Sequence, residues 1–197
     1  MNNPYAAPSS TLVESPSDLQ FTDKNFYIVS RNKFYVLFFV TLGSYLVYWS
    51  YQNWRQLKTN AGVKCWPAPR GIFFVFFIHG MMKHVIAQAE SIKYKISASL
   101  SSYATIAVII IVVNHILDRL TAKNIGFPIV DIISMVILIP MGISIWRMQD
   151  IINAVSGDRD GISNSKFTVV NYIWIFLGVI IWGFVIWSLF QVNDANA

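Results

Sequence analysis

The sequence predicts an all-α protein, a polytopic transmembrane helical bundle with three plain spans and two further segments that either cross or lie re-entrant or interfacial. Three observations carry this. Hydrophobic residues make up 55% of the 197-residue chain and charged residues only 13%, where a soluble domain typically carries about a quarter charged residues. The charges are excluded from long windows and gathered at their ends. Those windows approach the roughly 20 apolar residues that a hydrocarbon core about 30 Å thick asks of a helix.

Residues 1–25 are rich in Asn, Pro, Ser and Ala and have no hydrophobic period, so they read as a disordered polar tail. They contain no apolar h-region, and the apolar segments themselves must direct insertion. Residues 26–192 form a single transmembrane helical domain, and 193–197 a short C-terminal tail. Segment one, Lys33 to Trp54, is purely apolar to Leu42 and breaks at Gly43. Its second half mixes Tyr45, Tyr48, Trp49, Tyr51 and Trp54 with Ser50, Gln52 and Asn53. Segment two, Gly71 to Ala89, holds His79, Lys83 and His84, a polar load too costly for a lipid-exposed span. Segments three (Ser102 to Leu117), four (Phe127 to Trp146) and five (Val170 to Val192) are the plain spans. Trp146 and Arg147 close the fourth with an aromatic and a cation suited to the interface. Trp54 and Arg55 repeat that layout and read the same way. Pro140 and Gly142 inside segment four predict a kink that serves packing.

Charge placement favours one topology. Arg55, Lys58, Lys64 and Arg70 lie between segments one and two, Lys93 and Lys95 follow segment two, and Arg159 and Lys166 precede segment five. Only Arg119 and Lys123 lie between segments three and four. If residues 55–95 stay on one side, with segment two not crossing or segments one and two forming shallow hairpins, the cations collect on one face. That face is cytoplasmic by the positive-inside rule. Lys24, Arg31 and Lys33 put the N-terminus there too, and the C-terminus emerges opposite. The net charge of +5 is this face and not a nucleic-acid footprint. Cys65 is the single cysteine, so no internal disulfide forms, and it offers a labelling probe for its loop.

Phe26-Tyr27-Ile28-Val29-Ser30, Thr41-Leu42-Gly43-Ser44-Tyr45 and Tyr48-Trp49-Ser50-Tyr51-Gln52-Asn53-Trp54 resemble the start of an uncharacterised family of small bacterial multi-pass membrane proteins. The Gly-x-Tyr-x-x-Tyr-Trp element is similar to that of a related domain of unknown function. Trp66-Pro67-Ala68-Pro69-Arg70, Phe76-Phe77-Ile78-His79, Leu117-Asp118-Arg119-Leu120 and Asn153-Ala154-Val155-Ser156-Gly157-Asp158 extend the likeness to most of the chain. The resemblance implies a bacterial inner-membrane protein and brings no activity, cofactor or catalytic residue with it.

The candidate polar intramembrane residues are His79, Lys83, His115, Asp118 and Asp131. His79 and Lys83 share a helix face, whereas His79 and His84 lack the i, i+4 spacing of a helical metal pair. Asp118 can pair with Arg119 or bond His115, and the group can extend to Asp131, which otherwise reads as a first-turn acid favoured by the helix dipole. Gly157-Asp158-Arg159-Asp160-Gly161 lacks the further ligands and late Glu of a calcium loop. It reads as a turn, followed by an Asn164 or Ser165 cap for the last helix. No nucleophile–base constellation, paired cysteine or phosphate loop is present, so no catalytic, cofactor-binding or metal residue is assigned. The expected function is a non-enzymatic binding or regulatory component of a membrane assembly. Its partners are the lipid bilayer and either another membrane protein or a second copy, with no nucleic acid. The alternative is a small transporter or channel built on the five polar residues.

Overall fold

The computed structural model describes residues 25–96, 99–123 and 125–195, with side chains as far as Trp187. The N-terminal tail expected at residues 1–25 lies outside the described residues, apart from Asn25. All regular structure described is helical.

An extended stretch, 25–30, leads into α1, Arg31–Val40. Phe34, Leu37 and Phe38 fall on one buried stripe of α1, and Lys33 is buried beside them. The helix stops at a turn in which Leu42 (φ 51°) and Gly43 (φ 83°) take left-handed backbone and the Gly43 N–H donates to Phe38 O at 2.8 Å. Chain direction then reverses. α2, Tyr45–Asn60, buries Tyr45, Leu46, Trp49, Ser50, Asn53, Trp54 and Leu57, a stripe spaced for one helix face. Its C-terminal half returns to the start of α1, for Thr59 and Asn60 line one groove with Phe26 and Ile28. The break at Gly43 therefore turns segment one into a helical hairpin.

Segment two is a second hairpin. α3, Pro67–Ile72, opens with Pro at its first position, where the missing N–H costs nothing. It runs antiparallel to α2: Ser50 Oγ donates to Arg70 O at 3.1 Å, and Gly71 lies so close that a Cβ would meet Tyr51 Cβ at 2.8 Å. After a break at Phe73, α4, Phe74–Ser91, runs back. Gln88 near its end accepts from Asn25 and donates to Val155 O at 3.0 Å. Both hairpins thus begin and end at the same end of the bundle.

Three stretches are long and apolar enough to cross a membrane: Leu100–Thr121, Ile129–Val155 and Val169–Trp187. The first is α5, capped by Ser99 Oγ accepting from Ser102 N. The second is α6, Ile129–Val136, continued by α7, Leu138–Val155, with a break at Ile137. Pro140 explains that break, since it offers no N–H to the carbonyl of Val136. Gly142 serves packing, admitting the Phe38 ring where a Cβ would meet it at 2.9 Å. The last is α8, Val169–Ala195. Among the described residues it packs on α1, at Gly178 against Val40 and where Trp182 Nε1 donates to Phe39 O at 3.0 Å, and its Trp174 lines surface pockets with Tyr48 of α2.

The core is shared by α1, α2, α4, α5 and α7. Trp54 and Trp146 belong to it, which corrects their reading as interfacial residues: each packs inward, and only the following arginine faces out. Cys65 is also buried, its Sγ directed to Trp54 O at 3.7 Å, so it is a poor labelling probe from either side.

Candidate functional site

Four amide side chains meet at the end of the bundle where the hairpins open, and they hold the extended stretch before α1. Asn53 Oδ1 accepts from Tyr27 N at 3.1 Å, and Gln149 Nε2 donates to Tyr27 O at 2.9 Å. Asn153 bonds both polar groups of Val29, accepting from its N–H at 3.3 Å and donating to its carbonyl at 2.9 Å. Asn164 Nδ2 donates to Ile28 O at 2.7 Å. A stretch outside helix and sheet has no ladder partner, and its backbone groups must be satisfied once buried. An amide carries both a donor and an acceptor, so it can stand in for a neighbouring strand. Gln149 and Asn153 are one turn apart on α7 and bond each other at 2.7 Å, while Trp49 Nε1 donates to Gln149 Oε1.

Lys33 extends this cluster. It is 2% exposed, and its Nζ donates to Asn164 Oδ1 at 2.7 Å and to Lys166 O at 2.8 Å. Burial holds its pKa below the usual lysine value. Asp158 orders the same loop: its carboxylate accepts from Ile162 N at 2.9 Å and Ser163 N at 2.8 Å. Burial opposes its ionisation, but these bonds, with those from the Ser163 hydroxyl and Gly161 N, hold its carboxyl below the usual range. The loop is the expected turn, with its acid spent on backbone N–H groups. The expected cap differs, since Asn164 and Ser165 both bond elsewhere. Asn171 instead accepts from the Thr168 N–H and hydroxyl at 3.0 Å, where α8 begins.

Beside the cluster lies an open polar groove of about 490 Å³, lined by Phe26–Ile28, by Gln52, Arg55, Gln56, Thr59 and Asn60 of α2, and by Ser163 and Asn164. It joins the two stretches that the charge pattern assigns to one side, the loop after α2 and the loop before α8.

The five polar residues singled out from the sequence do not converge. His79 Nε2 bonds Thr105 Oγ1 at 3.1 Å between α4 and α5, and Lys83 is exposed. His115 Nδ1 bonds its own helix at Ile111 O, 2.9 Å. Asp118 accepts from Asn114 at 3.2 Å, not from Arg119 or His115. Asp131 stands in the first turn of α6, with Oδ2 buried and without a hydrogen-bond partner. No group of three or more His, Cys, Asp or Glu able to hold a metal occurs among the described residues. The amide cluster was missed because neutral amides carry no charge signal. The available clue was Gln149 and Asn153 at i, i+4 within an apolar helix, where a polar side chain needs a buried partner.

Comparison with family models, with curated proteins and with solved structures finds no match to this chain.

Proposed function

We propose that this chain is a non-enzymatic binding component of a membrane assembly in the bacterial inner membrane, working from its basic end, which faces the cytoplasm. The observation that carries this reading is the amide-rich groove at that end. Gln52, Gln56 and Asn60 line it with the same amide chemistry with which Asn53, Gln149 and Asn153 already hold the backbone of Tyr27 and Val29, while Asn164 beside them is spent on Ile28 O and Lys33. Such a surface suits an extended segment of a partner polypeptide, whose N–H and C=O groups alternate as these amides do. The lining has no nucleophile–base pair. Positive charge around it supports the cytoplasmic orientation: Arg55 and Lys58 lie in the C-terminal half of α2 and Lys64 follows it, Lys93 and Lys95 follow α4, and Arg159 and Lys166 precede α8. Placing those cations across the bilayer would break the positive-inside bias.

The test is site-specific photocrosslinking in cells from positions 52 and 59. The reading expects one and the same membrane-protein partner from both positions, and its loss with Arg55→Glu. A protein recovered without crosslinks from either position, and alone in several mild detergents, would refute it.

A further inference from the structure

The seam where α1 packs on α7 holds a second concentration of chemistry. The ring of Tyr35 lies 5.7 Å from that of Trp146, and the Arg31 guanidinium sits 5.8 Å from the Tyr35 ring centroid, within cation–π reach. Arg147, next along α7, brings a second positive charge to bear on the same phenol. Both arginines are exposed. Neither is ion-paired with a carboxylate of the described residues, Asp150 one turn beyond Arg147 included. Two like charges beside one phenol repel each other, and an anion bound between them would relieve that repulsion.

Depth identifies the anion. The span Ile129–Val155 has 27 residues, about 40 Å of helix against a hydrocarbon core of about 30 Å. Counted from Ile129 at 1.5 Å per residue, Arg147 lies about 27 Å along, which puts it near the margin of a hydrocarbon core about 30 Å thick that begins at Ile129. Trp146 and Tyr35 are aromatic types suited to that level, and Phe39 continues the face of α1 toward the bilayer centre, stacked on Tyr35 at 5.9 Å. Arginine binds phosphate oxygens through paired N–H groups, and basic pockets between helices on the cytoplasmic side take anionic headgroups.

We propose that Arg31, Tyr35 and Arg147 form a binding site for the phosphodiester headgroup of an anionic phospholipid, with its acyl chains along Phe39. The inference does not depend on the groove's role. Native mass spectrometry of the full chain, titrated with short-chain phosphatidylglycerol or phosphatidylcholine, tests it. Binding should favour phosphatidylglycerol and weaken about fivefold with Arg31→Gln or Arg147→Gln, the effect of one basic side chain at an anionic surface. Arg119→Gln, in the last turn of α5 at the opposite end of the bundle, should leave it unchanged. Equal binding of the two lipids, or equal losses from all three variants, overturns the proposal. Glycerophosphoglycerol, the same headgroup without chains, should not compete at equal concentration, and competition would mean a soluble phosphate ligand instead. Should the variants misfold, the unmodified protein still decides: phosphatidylglycerol must raise its melting temperature above that in phosphatidylcholine, and no difference refutes the site.

Discussion

Asn153 makes more bonds to the backbone than any other amide of the cluster. It satisfies both polar groups of Val29, bonds Gln149 and reaches Arg159 O at 3.3 Å. Its environment is fully buried, so water cannot replace what it loses. A buried group left unpaired costs about 1–3 kcal/mol, and Asn153→Ala leaves several. The expected loss is about 2–5 kcal/mol, read as a lowered melting temperature in detergent. Asn153→Asp keeps the acceptor but removes the donor and buries a charge, so it should do no better. A melting temperature within a degree of wild type for Asn153→Ala would mean that stretch 25–30 is not held as described. None of this was legible residue by residue. The partners of these backbone groups lie 26 to 136 residues away in sequence, and a lone extended strand has no periodicity of its own.

At the scale of elements, the apolar runs read well and the hairpins read by charge. The three long spans appear where the windows place them, because hydropathy alone decides whether a helix of that length sits in lipid. Segments one and two were ambiguous by hydropathy, since polar residues interrupt them and only part of their apolar surface packs on other helices, with Val47, Ile72, Phe73 and Phe76 exposed. Cation counting favoured keeping their ends together, and the observed hairpins do so, with the turn at Gly43 and the break at Phe73 setting where each reverses. Span boundaries were less legible: segment four ended at Trp146 by sequence, but α7 continues through Gln149 and Asn153 to Val155 because those amides are paired internally. α8 is different in kind, with most of its described surface open and α1 the helix it packs against among the described residues. A Cβ on Gly178 would come within 2.4 Å of Val40 O and Cγ1, and backbone there cannot yield cheaply. Gly178→Val should therefore loosen α8 from α1, raising hydrogen exchange across 166–172 several-fold. The remaining core should melt nearly as in wild type, because α8 adds only the partly buried Ile175 to it. A collapse of the whole bundle would show that α8 is integral to the core.

For the whole molecule, three stretches long and apolar enough to cross and two hairpins that each return to one end of the bundle predict a topology with three crossings. An odd number of crossings places the two ends of the described chain on opposite sides. The groove shared by Phe26, Asn60 and Asn164 requires that the loops around residues 62 and 162 lie on the same side, and the α5–α6 connection on the other. Cys65 cannot report this, being buried, so the probes are Lys64→Cys, Ile162→Cys and Lys123→Cys in a Cys65→Ala background. Lys64, Ile162 and Lys123 are exposed and bind nothing that the substitution would break. With an impermeant thiol reagent on sealed spheroplasts, Lys123→Cys should label at once. Lys64→Cys and Ile162→Cys should label only after the membrane is opened. Reaction of Lys64→Cys and Ile162→Cys from opposite sides would sink the architecture, because one of the two hairpins would then have to cross. Reaction of both from outside, with Lys123→Cys protected, would keep the architecture and invert its orientation. The positive-inside argument would then be what failed. The helix packing and the charge pattern are thereby tested separately by the same three cysteines.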